Sequence, residues 1–187
     1  MDISTEKLSI PEGLDLIDSI NLTTIRRVWI SWKVAPLIIF AIAWDSFLVF
    51  WYSVAFKGHT PWIMVVFPIG HVAVGLGLTY FVIASLFNKT DIECNPLGVL
   101  VKTYPLPWIG NCAVRAEDIK GIVVRERFGN RSGNQFGNQG SMTYSVMYID
   151  SSRKEKKLVK GLTALEQATF IAQVIRNTLG LPEEANR

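Results

Sequence analysis

Two long apolar stretches dominate the first half of the chain. Between residues 34 and 56 the only charged residue is Asp45, and residues 60–88 contain no Asp, Glu, Lys or Arg. A helix of about 20 apolar residues crosses a hydrocarbon core roughly 30 Å thick. The pattern therefore predicts transmembrane helices over 34–56 and 62–87, which the short loop between them joins as an antiparallel hairpin.

Basic residues near these segments predict their orientation. Arg26, Arg27 and Lys33 precede the first segment and Lys89 follows the second, whereas the loop carries only Lys57. Cytoplasmic flanks of membrane spans are enriched in Lys and Arg. We therefore expect an integral membrane protein with both termini in the cytoplasm and the lipid bilayer as one partner.

Two ionisable side chains lie inside the predicted hairpin. Counted from His59 in the loop, Asp45 lies fourteen residues back and His71 twelve residues on. At a rise of 1.5 Å per residue these are depths of about 21 and 18 Å. An ionisable group in hydrocarbon costs about 2.5 to 3.5 kcal/mol, and pairing keeps it away from lipid. We therefore expect Asp45 and His71 to contact each other across the hairpin.

The same two residues allow other interpretations. Asp45 can instead be protonated, or hydrogen-bonded to a nearby serine or to the backbone, and His71 can cap a kink at Pro68 and Gly70. A proton or ion relay through the pair requires oligomerisation, because one hairpin with one acid cannot enclose an aqueous path.

Small residues mark one face of the second predicted span. Ala73 and Gly77 are four residues apart, with Gly70 and Gly75 nearby. Small side chains at this spacing let a neighbouring helix approach closely. That neighbour is either the first span of the same chain or a helix of a second copy or partner subunit.

After residue 88 short alternating runs replace the continuous apolar segments. Such alternation, divided by turn-forming residues such as Asn95-Pro96, is typical of strands. A helical period then begins at the capping box Thr163-x-x-Glu166 and ends at Gly180. The predicted strands are Thr90 to Cys94, Gly98 to Tyr104, Cys112 to Arg115, Ile119 to Phe128, Met142 to Ile149 and Lys156 to Val159.

Six short strands followed by one helix predict an α+β soluble domain with an antiparallel sheet or a small barrel. The helix, with one apolar face, is expected to lie across the open end of the sheet. The expected organisation is an N-terminal cytoplasmic segment (1–33), the two-helix transmembrane hairpin (34–87), a cytoplasmic domain (88–181) and a tail (182–187).

A basic cluster lies near the end of the strand run. Beside a membrane such a cluster can contact anionic lipid headgroups, at about 1 kcal/mol per charge. A surface for a protein partner and a solvated hairpin turn are the alternatives. The cluster consists of Arg153, Lys154, Lys156, Lys157 and Lys160.

Residues 129–140 form a stretch rich in Gly and Asn. This composition is typical of a flexible connection between strands. The stretch lacks the Gly-Lys-Ser/Thr ending of a phosphate-binding loop. Arg131 and Phe136 make this stretch a candidate partner-binding loop.

Composition excludes several classes of function. Hydrophobic residues make up 49% and charged residues 19% of the chain, with a mean hydropathy of +0.26, which excludes a disordered chain and a coiled coil. A net charge of +3 is too small to indicate nucleic-acid binding. Cys94 and Cys112 lack the spacing of a zinc site, and residues 88–187 contain no histidine that could serve a nucleophile as a base. We therefore expect no metal, no cofactor and no enzyme activity.

Four local patterns carry a resemblance to a known group of proteins. They are Arg27-x-Trp29, Phe40-x-x-x-Trp44, Pro105-Leu106-Pro107 and Asp118-Ile119-x-x-Ile122. With two spans followed by strands and one helix, the chain resembles bacterial two-span membrane proteins with a pleckstrin-homology-like (PH-like) domain. The resemblance implies a PH-like antiparallel β-barrel with one C-terminal α-helix, in a bacterial inner or comparable membrane.

A binding function follows more readily from these features than a reaction does. We expect a membrane-anchored scaffold or assembly factor that recruits a protein partner, or a second copy of itself, at the cytoplasmic face. The alternative is a transport-related or ion-handling subunit in which Asp45 and His71 act and the soluble domain regulates.

Overall fold

The chain divides into two compact units. The computed structural model describes residues 9–30, 32–57, 61–128 and 142–182. A helical unit comprises Trp29–Asn88, and a β-rich unit comprises Met1–Val28 together with Lys89–Arg187. The helical unit is therefore inserted into the sequence of the β-rich unit.

Two apolar helical stretches form the helical unit. Ala35–Ala55 and Trp62–Phe87 are long and apolar enough to cross a membrane by length and composition. The second stretch is not one continuous helix, because Pro68 lacks the N–H that a helix interior requires. The described part of this unit therefore has three α-helices rather than the two predicted: α1 (Ala35–Ala55), α2 (Trp62–Val66) and α3 (Ile69–Phe87), with a 3-10 turn at Trp32–Val34 before α1.

The contact between α1 and α3 repeats every seven residues. In α1 the buried side chains are Ala41, Leu48 and Ala55, and in α3 the buried set includes Gly75 and Val82. A seven-residue spacing keeps one seam of each helix against the other, as in left-handed helix pairs. The remaining faces of both helices expose large apolar side chains, the pattern of a surface in contact with lipid.

The β-rich unit contains two antiparallel sheets and one long helix. One sheet has the order β1-β2-β3-β4-β5 and the other has the order β6-β7-β8. The elements are β1 (Leu14–Ser19), β2 (Leu22–Val28), β3 (Lys89–Asn95), β4 (Gly98–Tyr104), β5 (Cys112–Arg115), β6 (Gly121–Phe128), β7 (Met142–Ile149), β8 (Glu155–Leu162) and α4 (Leu165–Leu179), with a 3-10 turn at Ala116–Asp118.

The first two strands were not predicted from the sequence. β1 and β2 form a hairpin before the helical unit, and β2 then pairs with β3 after it, with Ile25 opposite Ile92. In β1 the inward residues Leu14 and Leu16 alternate with the exposed residues Asp15 and Ile17 over a short length. So short an alternation identifies a strand only once β2 is known to pair with β3, which lies far away in the sequence.

The expected closed barrel is wrong. Among the described residues β5 pairs with β4, and β6 pairs with β7, so the two sheets stay separate. The 3-10 turn at Ala116–Asp118 interrupts the extended backbone between β5 and β6, which prevents one strand run from continuing into the next. Helix α4 packs on β6, β7, β8 and β3, so side chains of both sheets and of α4 share one apolar core.

The C-terminal helix ends as predicted but does not begin as predicted. Gly180 adopts the left-handed conformation, with φ 64°, and caps the C-terminus of α4. The N-cap residue is Ala164, and no side chain caps this end by a hydrogen bond. The predicted capping box at Thr163 and Glu166 is therefore wrong, because the extended backbone runs one residue further before the helix starts.

Candidate functional site

Asp45 has a hydrogen-bond partner on the facing helix. Its Oδ2 accepts a hydrogen bond from the Thr79 hydroxyl at 2.6 Å. Gly75 makes this approach possible, because a Cβ atom there would lie 2.7 Å from Asp45 Oδ1 and 3.2 Å from both Leu48 and Trp44 side-chain carbons. The glycine thus opens the space in which the carboxylate reaches α3.

His71 has different neighbours. Its ring stacks with Trp44 at a centroid distance of 5.8 Å and lies 5.4 Å from the Phe67 ring. The indole N–H of Trp44 donates to the His71 carbonyl at 3.2 Å. The partner of Asp45 in the structure is therefore Thr79 and not the predicted His71. The prediction assumed that residues equally far from the loop face each other, but the α3 residues that face Asp45 lie closer to the C-terminus of α3 than His71 does.

Side-chain donors of α1 also serve carbonyl groups near the break between α2 and α3. Pro68 has no N–H, so the carbonyl of Met64 four residues earlier loses its helical partner. The indole N–H of Trp51 donates to that carbonyl at 3.1 Å, and the Tyr52 hydroxyl donates to the Val65 carbonyl at 3.2 Å. An unsatisfied carbonyl in hydrocarbon costs several kcal/mol, and these bonds supply partners for two carbonyls at the break.

The small-residue stripe does not lie against α1. Gly70, Ala73 and Gly77 are exposed, and a Cβ atom at Gly70 or Gly77 would meet nothing within 4 Å. Of the small residues that the sequence indicates on this helix, Gly75 is the one that packs on α1. The stripe therefore belongs to the outward face of α3.

The strands of the five-stranded sheet define two ends of the β-rich unit. Val28 at the end of β2 pairs with Lys89 at the start of β3, and both adjoin the helical unit in sequence. We call this the junction end. The opposite end, which we call the far end, carries the β1–β2 turn with Ile20 and the β3–β4 turn with Leu97. These two side chains are 95% and 81% exposed.

The β7–β8 turn is organised by Asp150. Its Oδ1 accepts backbone hydrogen bonds from Ser152 at 2.8 Å and Lys154 at 2.9 Å, and its Oδ2 lies 2.9 Å from the Lys156 ammonium. These contacts, led by the Lys154 amide, hold the pKa of Asp150 below its ordinary value. Arg153 takes a positive φ of 58° in this turn. Lys156 therefore has an acidic partner, whereas Arg153 and Lys154 are exposed at the tip.

This turn belongs to the far end. The Ala116 amide donates to the Leu97 carbonyl at 2.8 Å, and the Lys120 amide donates to the Ile149 carbonyl at 2.8 Å. The short segment from Ala116 to Lys120 thus connects the β3–β4 turn with the β7–β8 turn.

The predicted basic cluster is therefore spread along a strand. Lys160 lies near the junction end, because the Arg27 guanidinium donates to the carbonyls of Lys160 and Gly161. Lys160 lies six positions after Lys154, a distance of at most about 20 Å in extended backbone. Lys157 lies between them on β8, opposite Met147.

A polar cluster on the outer face of the five-stranded sheet was missed. Arg26 donates two hydrogen bonds of 2.9 Å to the Asp91 carboxylate, and the Tyr104 hydroxyl donates to Asp91 Oδ2 at 2.7 Å. Burial raises the pKa of Asp91, but the bonds from Arg26 and Tyr104 outweigh it and bring the pKa below its ordinary value. Once β2 is known to pair with β3, strand alternation puts Arg26 directly opposite Asp91.

The remaining candidates give no site within the described residues. Arg131 and Phe136 lie outside these residues. Burial raises the pKa of the Cys94 thiol to about 12 and also raises that of Cys112. No group of three or more His, Cys, Asp or Glu side chains that could hold a metal ion occurs in the part of the chain that the structure describes.

Comparisons with protein-family models and with curated proteins give no match to this chain.

Proposed function

We propose that this protein is a membrane-anchored, non-enzymatic binding module that recruits a protein partner at the cytoplasmic face of a bacterial inner or comparable membrane. The observation that carries the proposal is the exposure of Ile20 and Leu97 at the tips of two neighbouring hairpins. The anchor is the helical unit, and the binding surface is the far end of the β-rich unit.

The pairing of β2 with β3 supports an anchor that crosses the bilayer an even number of times. These strands flank the helical unit in sequence and are hydrogen-bonded to each other, with Thr23 opposite Cys94 and Val28 opposite Lys89. Strands that pair lie on the same side of a membrane. Together with the basic residues Arg26 and Arg27, this supports a hairpin with both flanks in the cytoplasm.

The chemistry of the far end supports a protein as the partner. Large aliphatic side chains fixed at hairpin tips are suited to enter apolar pockets of a partner protein. Charged side chains around them determine how the partner is oriented and how fast it associates. Arg153 and Lys154, exposed at the β7–β8 turn of the same end, supply such a rim of charge. The expected partner surface therefore has an apolar pocket bordered by acidic side chains.

Replacing both tips tests this proposal. The full-length double variant Ile20→Ser with Leu97→Ser is expected to lose at least about tenfold in partner affinity, which corresponds to about 1.4 kcal/mol. The measurement is the amount of partner that co-purifies with the tagged protein in mild detergent. Ile10→Ser, an exposed aliphatic residue before β1, is the matched control and is expected to keep the partner. Equal recovery of the partner with both variants would count against the far end.

The alternative of an ion-handling subunit makes a different prediction. Asp45→Asn removes the ionisable group but keeps an oxygen that can accept the Thr79 hydrogen bond. For a binding module we expect unchanged abundance and unchanged partner recovery over the pH range of growth. A pH-dependent growth defect of Asp45→Asn, with partner recovery intact, would favour ion handling instead.

A further inference from the structure

The β4–β5 loop at the junction end has an unusual composition for a surface loop. Residues 105–111 read Pro-Leu-Pro-Trp-Ile-Gly-Asn and contain no charged side chain. Ile109 near its tip is 83% exposed, and Trp108 is half-buried. The Thr103 amide donates to the side-chain oxygen of Asn111 at 2.8 Å, which closes the base of the loop. The loop thus presents an apolar tip on a fixed base.

Strand register gives the position of this loop. Tyr104, the last residue of β4, pairs with Lys89, the first residue of β3. Lys89 directly follows Asn88, the last residue of the helical unit. The loop therefore starts next to Lys89, the residue of the neighbouring strand that is covalently joined to the second apolar helix. Five residues lead from Tyr104 to Ile109, a reach of at most about 17 Å.

Two lysines accompany the apolar tip. The Lys160 side chain lies beside Gly110, where a Cβ atom would be 3.2 Å from Lys160 Cε. Lys89 is exposed at the start of β3. Apolar side chains with Trp between flanking cations are the chemistry of elements that lie in the headgroup layer of a membrane.

We infer that the β4–β5 loop inserts the side chains of Trp108 and Ile109 into the headgroup layer of the same bilayer that the helical unit crosses, with Lys89 and Lys160 beside lipid phosphates. This inference rests on the proposed membrane anchor. Lipid is the occupant because the loop starts beside Lys89, the strand residue that directly follows the second apolar helix. The loop adds a third point of attachment to the bilayer beside the two covalent connections to the helical unit.

A fluorophore sensitive to its surroundings tests the inference in the full-length protein. Ile109→Cys and Leu97→Cys are labelled with nitrobenzoxadiazole and reconstituted in vesicles of phosphatidylcholine with a minor fraction of phosphatidylglycerol. Both sites are highly exposed, so neither change disturbs the core. Wild-type protein treated in parallel gives the background labelling of Cys94 and Cys112.

The expected result is a blue-shifted emission at position 109 that is quenched by nitroxide-labelled lipid, whereas position 97 is quenched by aqueous iodide and not by the lipid. Equal behaviour of the two positions would overturn the inference. Protection of position 109 from iodide only in native membranes, without quenching by lipid, would assign the loop to a protein and also overturn it.

An alkaline carbonate wash separates failure of this inference from failure of the proposed anchor. If carbonate releases the protein from its vesicles, the anchor is wrong and the inference falls with it. If the protein is retained and position 109 is water-exposed, the anchor stands and only the loop inference is overturned.

Discussion

Replacing Gly75 with alanine is expected to weaken the packing of α1 on α3 by about 2 kcal/mol, within the range of about 1 to 3 kcal/mol for overpacked interiors. The added Cβ would lie 2.7 Å from Asp45 Oδ1 and 3.2 Å from the Trp44 and Leu48 side chains. The carboxylate therefore has to shift, which strains its hydrogen bond from Thr79. The close contact of the two helices and one hydrogen bond between them would weaken together.

Thermal unfolding of the full-length protein in mild detergent measures this effect through tryptophan fluorescence, because Trp44 and Trp51 both donate hydrogen bonds to carbonyls of the facing helices. Gly77→Ala is the matched control, since a Cβ there meets nothing within 4 Å. It is expected to be neutral or slightly stabilising, because alanine favours helix over glycine. A similar fall in melting temperature for both variants would contradict the close packing at Gly75.

Replacing Asp91 with alanine is expected to destabilise the β-rich unit by about 2 to 3 kcal/mol, somewhat below the usual cost of breaking a buried pair. The carboxylate is buried and accepts hydrogen bonds from Arg26 and Tyr104. Its loss leaves both donors without this acceptor, although Arg26 can still reach water. Glu93→Ala, two residues further along the same strand face, is the control and is expected to have a much smaller effect.

The same carboxylate predicts a pH dependence. Because the folded pKa of Asp91 is lowered, its contribution is fully present above the unfolded value, about 3.9, and is lost as the pH falls through the folded value. Chemical unfolding of the wild type at pH 6 and at successively more acidic pH is expected to show this loss. Asp91→Ala is expected to show a flatter acid limb, and an unchanged slope in the variant would assign the acid sensitivity to other groups.

Composition was sufficient to predict the two apolar helices but not their internal geometry. The length of a continuous apolar run predicts the length of the helical stretch, and the runs in the sequence correspond to Ala35–Ala55 and Trp62–Phe87. Depth counted from the loop does not show which residues face each other, because helix rotation and the break at Pro68 also decide this. The partner of Asp45 was therefore predicted as His71, although Gly75 opens the way to Thr79.

The strands after residue 88 were largely predictable because each carries its own alternation and its own turns. Closure of the sheets into a barrel could not be predicted in this way, because it depends on whether the chain continues as one strand between β5 and β6 or turns at residues 116–118. The hairpin of β1 and β2 was missed because its place in the sheet depends on a strand beyond the helical unit. The Asp91 cluster was missed for the same reason, since only the pairing of β2 with β3 puts Arg26 opposite it.

Insertion of the helical unit between β2 and β3 imposes an order of events during synthesis. When β2 leaves the ribosome, its sheet neighbour β3 has not yet been translated, and 60 residues of Trp29–Asn88 must follow first. Until β3 has also been synthesised, β2 keeps an open edge on which other chains could pair. Completion of the five-stranded sheet therefore has to wait until the whole helical unit and β3 have been synthesised.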